Sequence, residues 1–212
     1  MAHRLLPSGF EALPHGSLRM GKSPVLTGHE AVHSYTDSRE EYAMSEETKR
    51  GIREGIGFGL VAGLIFAIVQ MIAAAEAGMS ALVPLRMAGS VLMGSEALDQ
   101  TQEGAVLAGI VVHAVLSAAF GFIYGIANAK GTRRTQTDWG RQVGLGLAYG
   151  AVLWLFNIQI IARGFYPWFL EPNQFAQLVM HALFFGLPLS LMYAGAERRV
   201  HLMTPAGTHA RT

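Results

Sequence analysis

The chain has 212 residues, of which 51% are hydrophobic and only 15% charged, with 25 glycines and a formal net charge of +1. A soluble domain carries roughly 25% charged residues, so an ordinary soluble globule is excluded, and a charge so near zero gives no ground for nucleic-acid binding. The absence of cysteine excludes a disulfide framework and thiolate metal ligation.

Residues 1–48 are polar. They hold seven acidic residues, against five basic ones counted through Lys49, and Pro7 and Pro14 interrupt them early. No continuous apolar core of a signal peptide is present. The segment reads as an irregular, polar cytoplasmic tail that orders only on binding. Ser45, followed by Glu46, Glu47 and Lys49, predicts a helix start. His29 and His33 stand i, i+4, a zinc-binding spacing on a helix, but without the glutamate placement of a metalloprotease. They read as solvated tail residues.

From here the pattern changes. Four stretches, about 55–75, 104–129, 142–162 and 173–196, lack charge and exceed the roughly 18 residues that mark a membrane-spanning helix. The predicted fold is all-α: an integral membrane four-helix bundle over residues 49–197, followed by a short cytoplasmic tail, 198–212. The fourth span contains Pro188, which bilayer helices tolerate where neighbours re-satisfy the freed carbonyl. Between the first two spans, Ala77–Ser95 is apolar but contains Pro84 and Arg86. It is too short to cross and reads as an outer-face interfacial or re-entrant helix. Between the last two, Phe165, Tyr166, Trp168 and Phe169 form an interfacial aromatic belt. Of 16 lysines and arginines, only Arg86 and Arg163 fall on the other side from the termini. The positive-inside rule then predicts cytoplasmic N and C termini, in a bacterial inner membrane.

The first and third spans align at an offset of 89: Gly51 with Gly140, Gly55 with Gly144, Gly57 with Gly146, Gln70 with Gln159. The second and fourth share His-Ala (His113, His181), a later Phe-Gly (Phe120-Gly121, Phe185-Gly186) and a closing tyrosine (Tyr124, Tyr193). The pattern predicts two repeated helix pairs related by an axis along the membrane normal. Gly51, Gly55, Gly59 and Gly63, with Gly140 and Gly144 and a second register at Gly146 and Gly150, read as helix-packing positions, because small residues at this spacing let backbones approach.

Ionisable groups inside spans are functional candidates. His113 and His181 lie roughly 14 and 12 Å from the outer ends of their spans at 1.5 Å per residue. Gln70, Gln159 and Asn157 fall in the same half, so the five predict a polar intramembrane cluster. Three readings stand. Interhelical hydrogen bonding satisfies the imidazoles. Axial ligation of haem uses His113 and His181, with Arg86 and Arg163 meeting the propionates. A proton relay, quinone site or metal site is the third, although neither carboxylate nor sulfur ligands share that depth. Glu96, Asp99 and Glu103 read as a charged loop, and the methionines as packing.

No nucleophile–base pair, phosphate-binding loop or paired carboxylate motif stands out, and Gly55-Ile56-Gly57-Phe58-Gly59 lies in a span rather than after a strand. No enzyme activity is expected. The glycine-rich helix followed by a His-Ala, Phe-Gly helix, carried by Gly55, Gly59, Gly63, His113, Phe120 and Gly121 and again by Gly144, His181, Phe185 and Gly186, resembles small four-helix bacterial membrane proteins of unknown function. The resemblance covers about residues 50–197 and implies a four-helix membrane fold; it brings no activity, cofactor or site. The function expected is that of a non-catalytic accessory or scaffold subunit of a larger membrane complex, such as a respiratory or photosynthetic one, with the lipid bilayer and other subunits or itself as partners and no cofactor. A haem-binding redox protein is the alternative and a small oligomeric channel or carrier the third.

Overall fold

The computed structural model describes residues 10–12, 18–20 and 28–203, with side chains at 46 and 49–200. Met1–Ser45 and Glu46–Thr212 form two units. In the first, β1 (Phe10–Ala12) pairs antiparallel with β2 (Leu18–Met20), Glu11 opposite Arg19. Helix α1 (Gly28–Glu76) begins at Gly28 rather than near Ser45. The expectation of an irregular tail therefore does not hold there. No glycine or proline interrupts residues 29–50, so nothing in the local sequence stops the helical hydrogen bonds from running on. The His29 and His33 side chains lie outside the described residues.

The second unit is all-α. Four helical stretches are long and apolar enough to cross a membrane: Lys49–Glu76 of α1, α3 (Ala105–Ala129), α5 (Trp139–Phe165) and α6 (Gln174–Val200). α1, α5 and α6 run past predicted span ends, by six residues at Lys49, three at each end of Trp139–Phe165 and four at Val200, because polar end residues continue the helical bonding where hydropathy has already fallen; α3 and α6 each start one residue inside the predicted span. Two shorter helices join them, α2 (Val83–Met93) and α4 (Arg133–Thr137). Several starts have local causes. Thr132 Oγ1 accepts the Thr135 amide at 3.3 Å, Asp138 Oδ1 the Arg141 amide at 2.9 Å, and Asn173 Oδ1 the Ala176 amide at 3.0 Å. Each satisfies a donor that the first turn leaves orphaned. Gly104, at φ +82°, makes the left-handed turn into α3.

The spans are apolar on their outward faces as well. Leu64 is 60% exposed, Leu107 65% and Val115 62%, whereas Ala62 is fully buried. Water would penalise such surfaces, but lipid does not. The interior holds Phe66, Tyr124, Leu153, Phe185, Leu189 and Tyr193 together with small or polar residues, Ser117, Ser190 and Gln142 among them.

Glycine sets the crossings. A Cβ on Gly121 of α3 would strike the carbonyl oxygen of Gly55 and lie 2.5 Å from Gly59 Cα. A Cβ on Gly186 of α6 would strike the Gly146 carbonyl and lie 3.0 Å from Gly150 Cα. Gly51 meets Gly125, and Gly63 meets Ser117. Both crossings are antiparallel. Gly55 and Gly59 thus do in the α1–α3 pair what Gly146 and Gly150 do in the α5–α6 pair, an offset of 91, not 89. Gly144 is exposed with nothing within 4 Å of an added Cβ, and Gly140 meets only Asp138. Neither packs helices, contrary to expectation. Two residues turn a helix by about 200°, so Gly144 points away from the partner that Gly146 faces.

Helix α2 lies antiparallel along the first turns of α3, Gly89 against Ala105 and Leu85 against Gly109. This agrees with the predicted helix within Ala77–Ser95. Helices α5 and α6 each widen into a π segment, Leu155–Ala162 and His181–Gly186. The second closes with the Leu187 amide on the Ala182 carbonyl. Pro188 follows at once, so the wide turn makes room for a ring that clashes with its i−4 carbonyl in an α-helix.

Candidate functional site

The ends of the bundle are defined by α1. The terminal end holds Lys49 and Val200; the loop end holds Glu76, Gly104 and Asn173.

In the loop-end half, Phe66 of α1 stands beside both histidines. Its ring is stacked with His113 of α3, with centroids 6.0 Å apart and planes 4° apart, and meets His181 of α6 edge-on at 4.8 Å. His113 Nε2 lies 2.8 Å from the Gly63 carbonyl across the α1–α3 crossing, and His181 Nδ1 lies 2.7 Å from the Gln177 carbonyl one turn earlier in α6. A carbonyl only accepts, so both ring nitrogens donate. Each imidazole therefore carries a proton on the nitrogen that faces its carbonyl, Nε2 in His113 and Nδ1 in His181. A Cβ added at Gly63 would strike the Ser117 side chain but lie 3.5 Å from His113 Nε2, an ordinary contact.

The glutamines part company. Gln70 Nε2 donates to Gln177 Oε1 at 3.3 Å, joining α1 to the turn whose carbonyl holds His181. Gln159 Nε2 donates to Gln174 Oε1 at 3.0 Å and accepts from Arg163 Nη2 at 2.6 Å. Gln174 in turn caps the carbonyls of Phe169, Leu170 and Pro172. Asn157 is half-buried in the π segment of α5. The structure thus brings His113, His181 and Gln70 together around Phe66, and places Gln159 in a second network at the loop end. Gln174 and Gln177 were absent from the sequence-based cluster; the i, i+4 spacing of Gln177 and His181 is the signal that could have found Gln177.

As a haem pocket, this arrangement has its central space filled by Phe66, and His113 already uses Nε2 for a carbonyl. Arg86 donates to the carbonyls of Asp99, Gln100 and Gln102 at 2.9–3.2 Å. Arg163 is engaged by Gln159. Among the described residues, no group of three or more His, Asp or Glu is placed to hold a metal ion.

Above α2, Trp168 Nε1 donates to buried Ser90 Oγ at 2.8 Å and Tyr166 OH donates to the Val91 carbonyl at 3.4 Å. The belt aromatics therefore clamp α2 as well as lying at the span ends. Asp99 Oδ1 accepts from the Thr101 amide and hydroxyl, both at 2.9 Å, and these bonds hold its carboxyl below its ordinary pKa.

A further polar layer occupies the terminal-end half. Tyr124 OH donates to Gln142 Oε1 at 2.7 Å. Gln142 Nε2 donates to Asn128 Oδ1 at 2.9 Å and to the Thr135 carbonyl at 3.0 Å. Tyr149 OH donates to the Phe120 carbonyl and Tyr193 OH to the Gly51 carbonyl, at 2.6 and 2.7 Å. Arg50 Nη2 bridges both carboxylate oxygens of Glu197 at 2.8 Å, tying the start of one span to the end of another, with Glu54 Oε1 3.9 Å from Arg50 Nε. Sequence spacing gave no signal for these contacts, since their partners lie up to 147 residues apart.

Compared with known proteins, the chain matches no family model, no curated protein and no solved structure.

Proposed function

We propose that this chain is a non-catalytic scaffold subunit of a larger membrane complex, acting through its packed helices. The observation that carries the reading is where the intramembrane polar groups are spent. His113 serves the Gly63 carbonyl, His181 the Gln177 carbonyl, Gln70 its neighbour Gln177, Gln159 its neighbour Gln174, and the three tyrosines Gln142 and two carbonyls. Each such bond joins helices or helix turns, for which roughly 0.6–2 kcal/mol apiece is typical. Side chains committed in this way stiffen a bundle; they do not line a substrate path.

The two glycine crossings support an origin by duplication of a helix pair. The excess of Lys and Arg on the terminal side supports an orientation with both termini in the cytoplasm of a bacterial inner membrane. The bilayer and neighbouring subunits are the partners.

The test is purification of the full chain from its native membrane in mild detergent, with an absorption spectrum and mass spectrometry on one fraction. Other subunits co-eluting at fixed stoichiometry, with no Soret band, are expected. A Soret band that scales with this chain and is lost in His113→Ala overturns the reading in favour of a haem protein. Solute flux through liposomes containing the chain alone overturns it in favour of a channel or carrier.

A further inference from the structure

The terminal end carries a cationic surface built around one exposed aromatic ring. Trp139, 45% exposed, opens α5, and its ring lies beside Gly195 of α6. The Arg198 guanidinium stands 5.8 Å from the Trp139 ring centroid, and its Nη1 donates to the Thr137 carbonyl at 3.1 Å. Arg134, Arg141 and Arg199 are exposed nearby in sequence. The stretch 130–141 holds four basic residues and a single acid, Asp138, whose Oδ1 is occupied as the cap of the Arg141 amide. Glu197, beside Arg198, is neutralised by Arg50. The loop end differs: Arg86 and Arg163 are its only lysine or arginine residues, and Arg86 is tied to three carbonyls.

We infer that this surface binds the phosphate of an anionic phospholipid, with Arg198 and Arg141 meeting the headgroup and Trp139 lying at the boundary between headgroup and acyl chain. The chemistry is complementary on both counts. Guanidinium groups recognise phosphate oxygens through paired N–H donors, and tryptophan prefers the depth at which headgroup gives way to hydrocarbon. The Trp139 face polarises toward the Arg198 cation and holds it at the surface. The inference rests on the membrane-spanning reading of the bundle, not on its scaffold role.

The experiment is native mass spectrometry of the full chain from micelles containing equal amounts of phosphatidylglycerol and phosphatidylcholine. Preferential retention of phosphatidylglycerol is expected. Arg141→Gln and Arg198→Gln should each lower that retention roughly fivefold, the effect of one basic residue near an anionic surface. Arg163→Gln, at the other end, should leave it unchanged. Should the double variant fail to fold, the wild type still decides. Raising salt from about 0.1 to 1 M shortens the screening length from about 10 to 3 Å, and phosphatidylglycerol retention must then fall severalfold. Equal retention of both lipids, insensitivity to salt, or an unchanged preference in a folded Arg141→Gln/Arg198→Gln chain overturns the inference. Displacement of the lipid by inorganic phosphate well beyond that by chloride at equal ionic strength also overturns it, because the site would then take a free anion. Release of the chain from membranes by alkaline carbonate would instead refute the membrane-spanning reading itself.

Discussion

Replacing Gly121 by alanine tests the packing argument most directly. The new methyl carbon would lie 2.5 Å from Gly59 Cα and 2.8 Å from Gly59 N, and would strike the Gly55 carbonyl oxygen. All three are backbone atoms of α1, so no side chain can swing aside. Ordinary contact needs 3.4–4 Å, and α1 and α3 must therefore part by about 1 Å along the crossing. Overpacking of this kind costs roughly 1–3 kcal/mol, and parting the helices also stretches the His113–Gly63 bond. Alanine's better helix propensity returns up to about 1 kcal/mol. A net loss of about 1 kcal/mol follows, some fivefold in the folded-to-unfolded ratio. The assay is reversible unfolding in mixed micelles of rising dodecyl sulfate content, read by circular dichroism. Gly57→Ala and Gly144→Ala are the internal controls, since an added Cβ at either meets nothing within 4 Å; both should equal the wild type or exceed it by up to about 1 kcal/mol. The reasoning is refuted if Gly121→Ala unfolds with the wild type, or if the controls lose as much as it does.

Four further outcomes are expected. Arg50→Met strands the Glu197 carboxylate and should cost roughly 1.5–3 kcal/mol in the same titration, with Arg50→Met/Glu197→Met recovering part of the loss; equal losses in the single and double variants would count against a coupled pair. Gln142→Leu leaves Tyr124 OH without its acceptor and Asn128 Oδ1 without a donor, a loss of roughly 1–3 kcal/mol for each stranded group, to be checked by unfolding beside Tyr124→Phe/Gln142→Leu, which should be milder. His113→Phe retains the ring but removes the cross-helix donor to the Gly63 carbonyl, so stability should fall by about 1 kcal/mol, and a loss below a few tenths would show that the bond contributes little. Asp99 has a depressed folded pKa. Its stabilising effect is present above the ordinary carboxylate value of 3.8 and is lost as the pH falls through the lower folded value; hydrogen exchange at the Thr101 amide should quicken in that acid window and stay pH-flat, beyond intrinsic exchange, in Asp99→Asn.

The four spans were legible because a bilayer demands an unbroken apolar length, and length is a one-dimensional property of the chain. Helix α2 was legible for the complementary reason, an apolar run too short to cross. The α1 extension back to Gly28 was not, because the polarity of residues 29–48 suggested a tail although they contain neither glycine nor proline. The glycine stripes were visible, but which glycines pack was not: Gly144 and Gly146 read alike in sequence and lie on nearly opposite faces. Only the partner helix distinguishes them, and it faces Gly146 and Gly150.

The polar residues divide in the same way. That His113, His181, Gln70 and Gln159 lie in one half of the bundle follows from counting residues from the span ends. That Phe66 stands beside both imidazoles, that Gln70 finds Gln177 while Gln159 finds Gln174, and that Arg50 reaches Glu197 across 147 positions of chain are decisions of the tertiary structure. Hydropathy is summed along the chain, so sequence alone determines what enters the bilayer. A hydrogen bond depends on two side chains meeting at about 3 Å with the right face turned inward, and only the packed helices, drawn together where glycine removes the side chain, determine which pairs meet.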